Sequence, residues 1–175
     1  QKIVLVAELM DEALQRCAIT GHTELGTITS GQLAGTICSH PFRGQGYDFD
    51  VPLLEGGHVT TEQGTGFVHI APGHGADDWV LGMSNGIEVP HTVGEDGSYF
   101  DHVPLFAGAR VLTVDGKDGD ANGRVIKALI ESGCLLGKGS LRHSYPHSWR
   151  SKAPLIFRNT SQWFVSMESG GLRDT

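Results

Sequence analysis

The spacing of apolar residues along the chain changes several times, and each change marks a predicted element. Residues 2–7 are apolar and β-branched, which predicts a strand. Over residues 8–17 the period lengthens. Leu9, Met10, Ala13, Leu14 and Cys17 fall at helical spacing ahead of Gly21, so an amphipathic helix is predicted. Residues 23–29 and 33–38 are Thr- and Ile-containing strand candidates separated by Ser30-Gly31. His40-Pro41 breaks the pattern, and residues 43–46 form a Gly-rich turn. A short strand begins over residues 50–54, Gly56-Gly57 turns the chain again, and residues 58–61 are a further strand candidate. Residues 65–71 alternate as a strand does, and Pro72, which lacks an amide hydrogen, stops the ladder. Gly73 and Gly75 permit a turn. Residues 76–85 then read as a helix with Trp79, Val80 and Met83 on one side and Gly86 as its stop.

The second half is less regular. Residues 89–100 are loop-like, with a hairpin tip at residues 94–97, and residues 109–114 read as a strand. The acidic, Gly-rich loop at residues 115–120 lacks the ligand spacing and the closing Glu of an EF-hand. Residues 122–132 predict a helix with Val125, Ile126, Leu129 and Ile130 inward and Gly133 as stop. Residues 135–143 are strand-like. The aromatic segments at residues 143–150, 154–158 and 162–165 and the polar stub after them read as a passage into a neighbouring domain.

Composition adds class to this outline. A chain of 175 residues, 39% hydrophobic and 19% charged, is expected to be one globular domain. Its 25 glycines and short strand-like runs favour a mainly β fold with flanking helices. No run approaches the ~20 apolar residues that span a bilayer, and the start carries no signal-peptide pattern. Cys17, Cys38 and Cys134 are odd in number and widely spaced, so a reducing, cytoplasmic setting is expected rather than a disulfide framework. The net charge of −7 argues against gripping nucleic acid by charge alone. It leaves room for a domain that handles one end of a nucleic acid while another domain supplies the affinity.

Candidate chemistry concentrates between Gly64 and Trp79, where His69, His74, Asp77 and Asp78 fall within ten residues. A strand would deliver His69, a Gly-rich turn would expose backbone amides, and a helix start would place both aspartates beside them. Successive helical residues point about 100° apart, so one carboxylate faces a pocket while the other caps the helix or meets solvent. Spacing alone also permits both aspartates to serve only the helix N-terminus. A zinc or iron set of His69, His74 and Asp77 or Asp78 is a second possibility, although the spacing is neither an i, i+4 helical pair nor an HxH strand pair. His143 and His147 are separated by Pro146, which breaks a helical pair. No Ser sits in a Gly-x-Ser-x-Gly elbow, and nothing around Cys38 and His40 points to an activated thiol. Gly64-Thr65-Gly66 lacks the Walker lysine and the third dinucleotide-binding glycine.

The stretch Gly64–Asp78 closely resembles the editing-site motif of connective peptide 1, the domain inserted in isoleucyl-tRNA synthetases of class I. His40-Pro41-Phe42 agrees with it. So does the exit pattern His143-Ser144-Tyr145-Pro146-His147, Pro154-Leu155-Ile156-Phe157-Arg158 and Gln162-Trp163-Phe164. Valyl and leucyl relatives carry Lys or Met where this chain has His69, and tend to have a His-Asp turn in place of His74-Gly75. The resemblance implies a β-barrel-like editing domain over residues 1–157, with residues 158–175 returning toward a catalytic domain. It implies hydrolysis of valine mischarged onto tRNA(Ile) after transfer, and leaves open hydrolysis of valyl-adenylate as well. A missing methylene is rejected only weakly by one pocket, and isoleucine against valine is itself the usual example of that limit.

By the same resemblance Asp78 takes the substrate α-ammonium. His69 lines the side-chain pocket, excludes isoleucine and helps orient the attacking water. Gly73, His74, Gly75 and Trp79 complete the substrate-binding wall. The implied partners are the tRNA(Ile) 3′ end, its valyl moiety and the rest of the synthetase chain. No metal or other cofactor is implied in this domain, because ATP and Mg serve the parent catalytic domain. Three departures stand out. The family's Thr-rich wall is expected upstream of residue 1, since Thr60-Thr61 is the only Thr pair and no Pro-Trp follows it. Ser148-Trp149-Arg150-Ser151 stands where many relatives carry half a zinc knuckle. Phe67 stands where relatives often have a small residue. A non-catalytic tRNA-end module and a valyl- or leucyl-type editing domain are the alternatives.

Overall fold

A computed structural model describes residues 1–62, 64–140 and 144–169. A 3-10 turn at Ala7–Leu9 leads directly into α1 (Met10–Arg16). The short helix α2 (Ser30–Leu33) follows, then strands β1 (Ile37–Ser39) and β2 (Asp50–Pro52), and helices α3 (Ala76–Ser84) and α4 (Ala121–Glu131). β1 and β2 pair antiparallel with Cys38 opposite Val51. Arg43 ties the end of this hairpin, since its guanidinium donates to the Ser39 hydroxyl, the Phe49 carbonyl and the Asp50 carboxylate.

The core lies between the segment after β1 and α4. Phe42, Val103, Phe106, Ala109 and Ala121 are buried together, and Val125, Ala128 and Leu129 of α4 pack on them. These three α4 positions lie at i, i+3 and i+4, which is one helical face. Ile130 falls off that face and is 60% exposed, contrary to its predicted inward position. Asp120 anchors the start of α4. Its carboxylate accepts the Arg110 amide hydrogen at 2.8 Å and pairs with Arg124 at 2.8 Å. Helices α3 and α4 stop where predicted, at Gly86 (φ 68°) and Gly133 (φ 69°), a left-handed conformation that glycine adopts without a Cβ penalty.

The expected barrel-like, mainly β architecture is not present among the described residues. They hold one two-stranded sheet and four isolated bridges. The strand candidates at residues 2–7, 23–29, 58–61 and 65–71 form no ladder. The link between the first and last of these is a single bond, Val6 amide to Thr65 carbonyl at 3.0 Å. A strand needs a partner in register as well as a β-prone sequence, and these runs leave Ile3, Val4, Phe67 and Val68 exposed instead. Within the candidate at residues 33–38 only Ile37 and Cys38 are in a strand. Just upstream, Thr29-Ser30-Gly31-Gln32 starts α2, with the Gln32 amide oxygen accepting from the Thr29 amide at 2.8 Å. That capping box competes with extension. Of the strand predicted over residues 109–114, only bridges at Arg110 and Leu112 form. Residues 135–140 are irregular, and 141–143 lie outside the described residues.

Among the described residues no helix is long and apolar enough to cross a membrane. Cys17, Cys38 and Cys134 are free thiols.

Candidate functional site

The turn ahead of α3 is built by its own backbone. The His74 and Gly75 amides both donate to the Ala71 carbonyl, at 2.9 and 3.3 Å, and Trp79 N–H closes the first helical turn on the Gly75 carbonyl at 2.9 Å. Asp78 folds back over this turn, and its Oδ2 accepts the Ala71 amide hydrogen at 3.0 Å. Its Oδ1 lies 3.6 Å from His58 Nε2, with the two side chains only 22% and 27% exposed. Asp77, one residue earlier, is exposed. Gly75 leaves room for this arrangement, because a Cβ there would lie 3.0 Å from Asp78 Oδ2.

The rotation of α3 puts Asp78 in this position. Its predicted apolar side does not face inward: Trp79, Val80 and Met83 are 52%, 62% and 42% exposed. Gly82, four residues after Asp78 and on the same face, is the residue of α3 that is buried. A Cβ on Gly82 would lie 2.7 Å from Pro72 Cγ, so the absence of a side chain lets the helix close on the turn. Gly82→Val should therefore push α3 off Pro72 and cost about 1–3 kcal/mol of stability by overpacking. Urea unfolding checks this, and an unchanged midpoint would show that the Gly82–Pro72 contact does not seat the helix.

His69 is exposed, and no hydrogen bond or ion pair joins it to Asp78 among the described residues. It lies near His40. The His40 ring stacks on Tyr47 at 4.6 Å, and its Nδ1 accepts the Phe42 amide hydrogen at 3.1 Å. Burial lowers the His40 pKa, and the charge of His69 lowers it further. The unfolded chain thus binds a proton more readily at this residue. Stability should fall as pH drops below about 6.5, the ordinary histidine value, and level off below the depressed folded-state value. Urea midpoints across that range check this, and His40→Gln should flatten that part of the curve.

His74 turns the other way. Its Nδ1 lies 2.7 Å from the Phe157 carbonyl, which can only accept, so Nδ1 carries the hydrogen. Asn159 donates to the Val89 carbonyl at 2.9 Å, and Arg158 pairs with Glu95 at 3.8 Å. The exit segment is thus joined to the turn by His74 and to the loop after α3 by Asn159 and Arg158.

Comparison with known proteins shows what the chain is similar to. No family model matches the chain. Isoleucine–tRNA ligase of Pelagibacter ubique is 49% identical over 173 residues, covering 99% of this chain and 18% of that protein. The enzyme of that name from Bradyrhizobium diazoefficiens is 46% identical over 177 residues, covering 95% of this chain and 18% of that protein. The one from Caulobacter vibrioides is 52% identical over 149 residues, covering 81% and 15%. The chain is homologous to a segment of the isoleucine–tRNA ligases. It spans less than a fifth of the length of these curated relatives.

Within this segment the expected site residues divide into groups. Asp78, Gly75 and the turn at Gly73 are together. His74 has one ring nitrogen committed to the exit segment, Trp79 is half exposed beside the site, and His69 sits toward His40. Among the described residues no group of three or more His, Cys, Asp or Glu side chains is placed to hold a metal ion, so His69, His74 and Asp78 do not form the ligand set that spacing permitted. His143 lies outside the described residues. His147 is 2.8 Å from the Tyr145 carbonyl through Nδ1 and forms an isolated bridge with Pro154. His58 was not anticipated as a site residue. Its contact with Asp78 spans twenty positions, and nothing local in a strand-like run signals such a contact. His40 was part of a recognised motif, but nothing in the sequence placed it beside His69.

Proposed function

We propose that this segment is the editing unit of an isoleucine–tRNA ligase, hydrolysing valyl-tRNA(Ile) and, by the same chemistry, valyl-adenylate. The observation that carries the reading is the Asp78 carboxylate. One oxygen accepts a backbone amide hydrogen at 3.0 Å, and the other lies 3.6 Å from His58 Nε2. A fixed, partly desolvated anion of this kind suits an α-ammonium, with which it forms a charge-assisted hydrogen bond. Homology to isoleucine–tRNA ligases over nearly the whole chain supports the choice of substrate class.

In this reading water adds to the ester carbonyl and the ester bond breaks, releasing valine and a tRNA with a free terminal hydroxyl. Asp78 holds the ammonium. His69 limits the side-chain pocket and orients the water, and Gly73, His74, Gly75 and Trp79 form the wall around them. The terminal adenosine hydroxyls assist, and the reaction requires neither a metal in this segment nor a covalent enzyme intermediate. ATP and magnesium serve the parent's catalytic domain. Residues 1–157 form the editing unit, and residues 158–175 return to the catalytic domain. The partners are the tRNA(Ile) 3′ end and the rest of the synthetase, in the cytoplasm.

Deacylation assays with the full synthetase chain test the reading. Valyl-tRNA(Ile) should be hydrolysed and isoleucyl-tRNA(Ile) spared. Equal survival of both esters would contradict it and favour a non-catalytic tRNA-end module.

A further inference from the structure

We propose that His58 is a positioning residue for Asp78. It steadies the outer carboxylate oxygen while the Ala71 amide steadies the inner one. The inference rests on the editing reading, because it explains how the ammonium anchor is aimed.

The Ala71 bond at 3.0 Å fixes Oδ2 but leaves the carboxylate free to swing about that contact. His58 provides the second point, with Nε2 3.6 Å from Oδ1. At that distance the contact is longer than a hydrogen bond, a polar N–H edge turned toward the carboxylate. It therefore aims Oδ1 without using up its capacity to accept another donor. The three anchoring groups come from separate parts of the chain. Asp78 is on α3 and Ala71 is in the turn. His58 follows the Gly56-Gly57 turn, which is closed by the Val59 amide donating to the Gly56 carbonyl at 3.1 Å. Gly56 backs the ring, since a Cβ there would lie 3.1 Å from His58 Cε1. Both side chains are largely covered, so the interaction is screened less than a surface pair. A carboxylate held in place before substrate arrives loses less freedom on binding.

An anchor used equally in the bound and transition states affects KM rather than kcat. Steady-state deacylation of valyl-tRNA(Ile) by the full synthetase chain provides the test. His58→Ala should raise KM about 3- to 10-fold, the range of one lost polar contact, and leave kcat within about twofold. His58→Gln keeps an N–H donor and should return KM to near the wild-type value. A wild-type KM in His58→Ala would overturn the proposal, as would an equal fall in kcat that Gln does not rescue. Asp78→Asn in the same assay separates the two levels. If Asp78→Asn remains active, the editing reading itself fails. If it is inactive while His58→Ala behaves as wild type, only the role of His58 fails.

Discussion

Asp78→Ala in the full synthetase chain should reduce kcat/KM for valyl-tRNA(Ile) deacylation by about 100-fold or more. Two losses combine in this variant. The substrate ammonium loses its charge-assisted partner, a contact worth about 1.5–3 kcal/mol. The Ala71 amide also loses its acceptor, so the turn carrying Gly73 and His74 loses the bond that ties it to α3. Each 1.4 kcal/mol is a factor of ten, so together they reach the stated range. Asp78→Asn separates the two terms. An asparagine side-chain oxygen can still accept from Ala71 but carries no charge, so activity should stay low while the melting temperature recovers toward wild type. Deacylation by Asp78→Ala within a few-fold of wild type would remove Asp78 from the substrate site.

His69→Ala should change selectivity rather than eliminate activity. His69 is exposed and makes no bond to Asp78 among the described residues, so its removal leaves the ammonium anchor in place. It does remove the ring that would meet the extra methylene of isoleucine. Pockets discriminate single methylenes by only about 10- to 200-fold, so opening this one should reduce the preference for valyl over isoleucyl ester by about tenfold or more. Parallel time courses with both charged tRNAs would show it, with valyl-tRNA(Ile) still hydrolysed. If isoleucyl-tRNA(Ile) is spared as well as by the wild type, His69 is not the sieve.

What was legible in the sequence was mostly local. Helices α1, α3 and α4 follow from apolar spacing, and the ends of α3 and α4 from glycine stops, all decided within a few residues; α1 ends instead with Ala18 at φ 55°, ahead of Gly21. The Thr29–Gln32 capping box was equally local and could have been read from the Thr-x-x-Gln pattern. The rotation of α3 could not. Trp79, Val80 and Met83 are the natural inward face by hydropathy. The close approach of Gly82 to Pro72 turns Asp78 inward instead, and that contact is tertiary. The strand candidates illustrate the same limit, because β-branched composition marks residues 2–7 and 65–71 without supplying a partner in register. At the site, the motif between Gly64 and Trp79 stood out by its concentration of ionisable and glycine residues. The contrast between Asp77, exposed, and Asp78, folded onto Ala71, depends on helix phase relative to the turn. His58 depends on a contact between distant segments, which no local pattern encodes.

The most direct measurement is a crystal structure of the full synthetase chain with a non-hydrolysable valyl-adenosine analogue. The account predicts the α-ammonium within hydrogen-bond distance, about 2.7–3.2 Å, of Asp78 Oδ1, with the valyl side chain directed toward His69. An ammonium bound to Asp77, or an analogue seated away from the turn between Ala71 and Gly75, would contradict it.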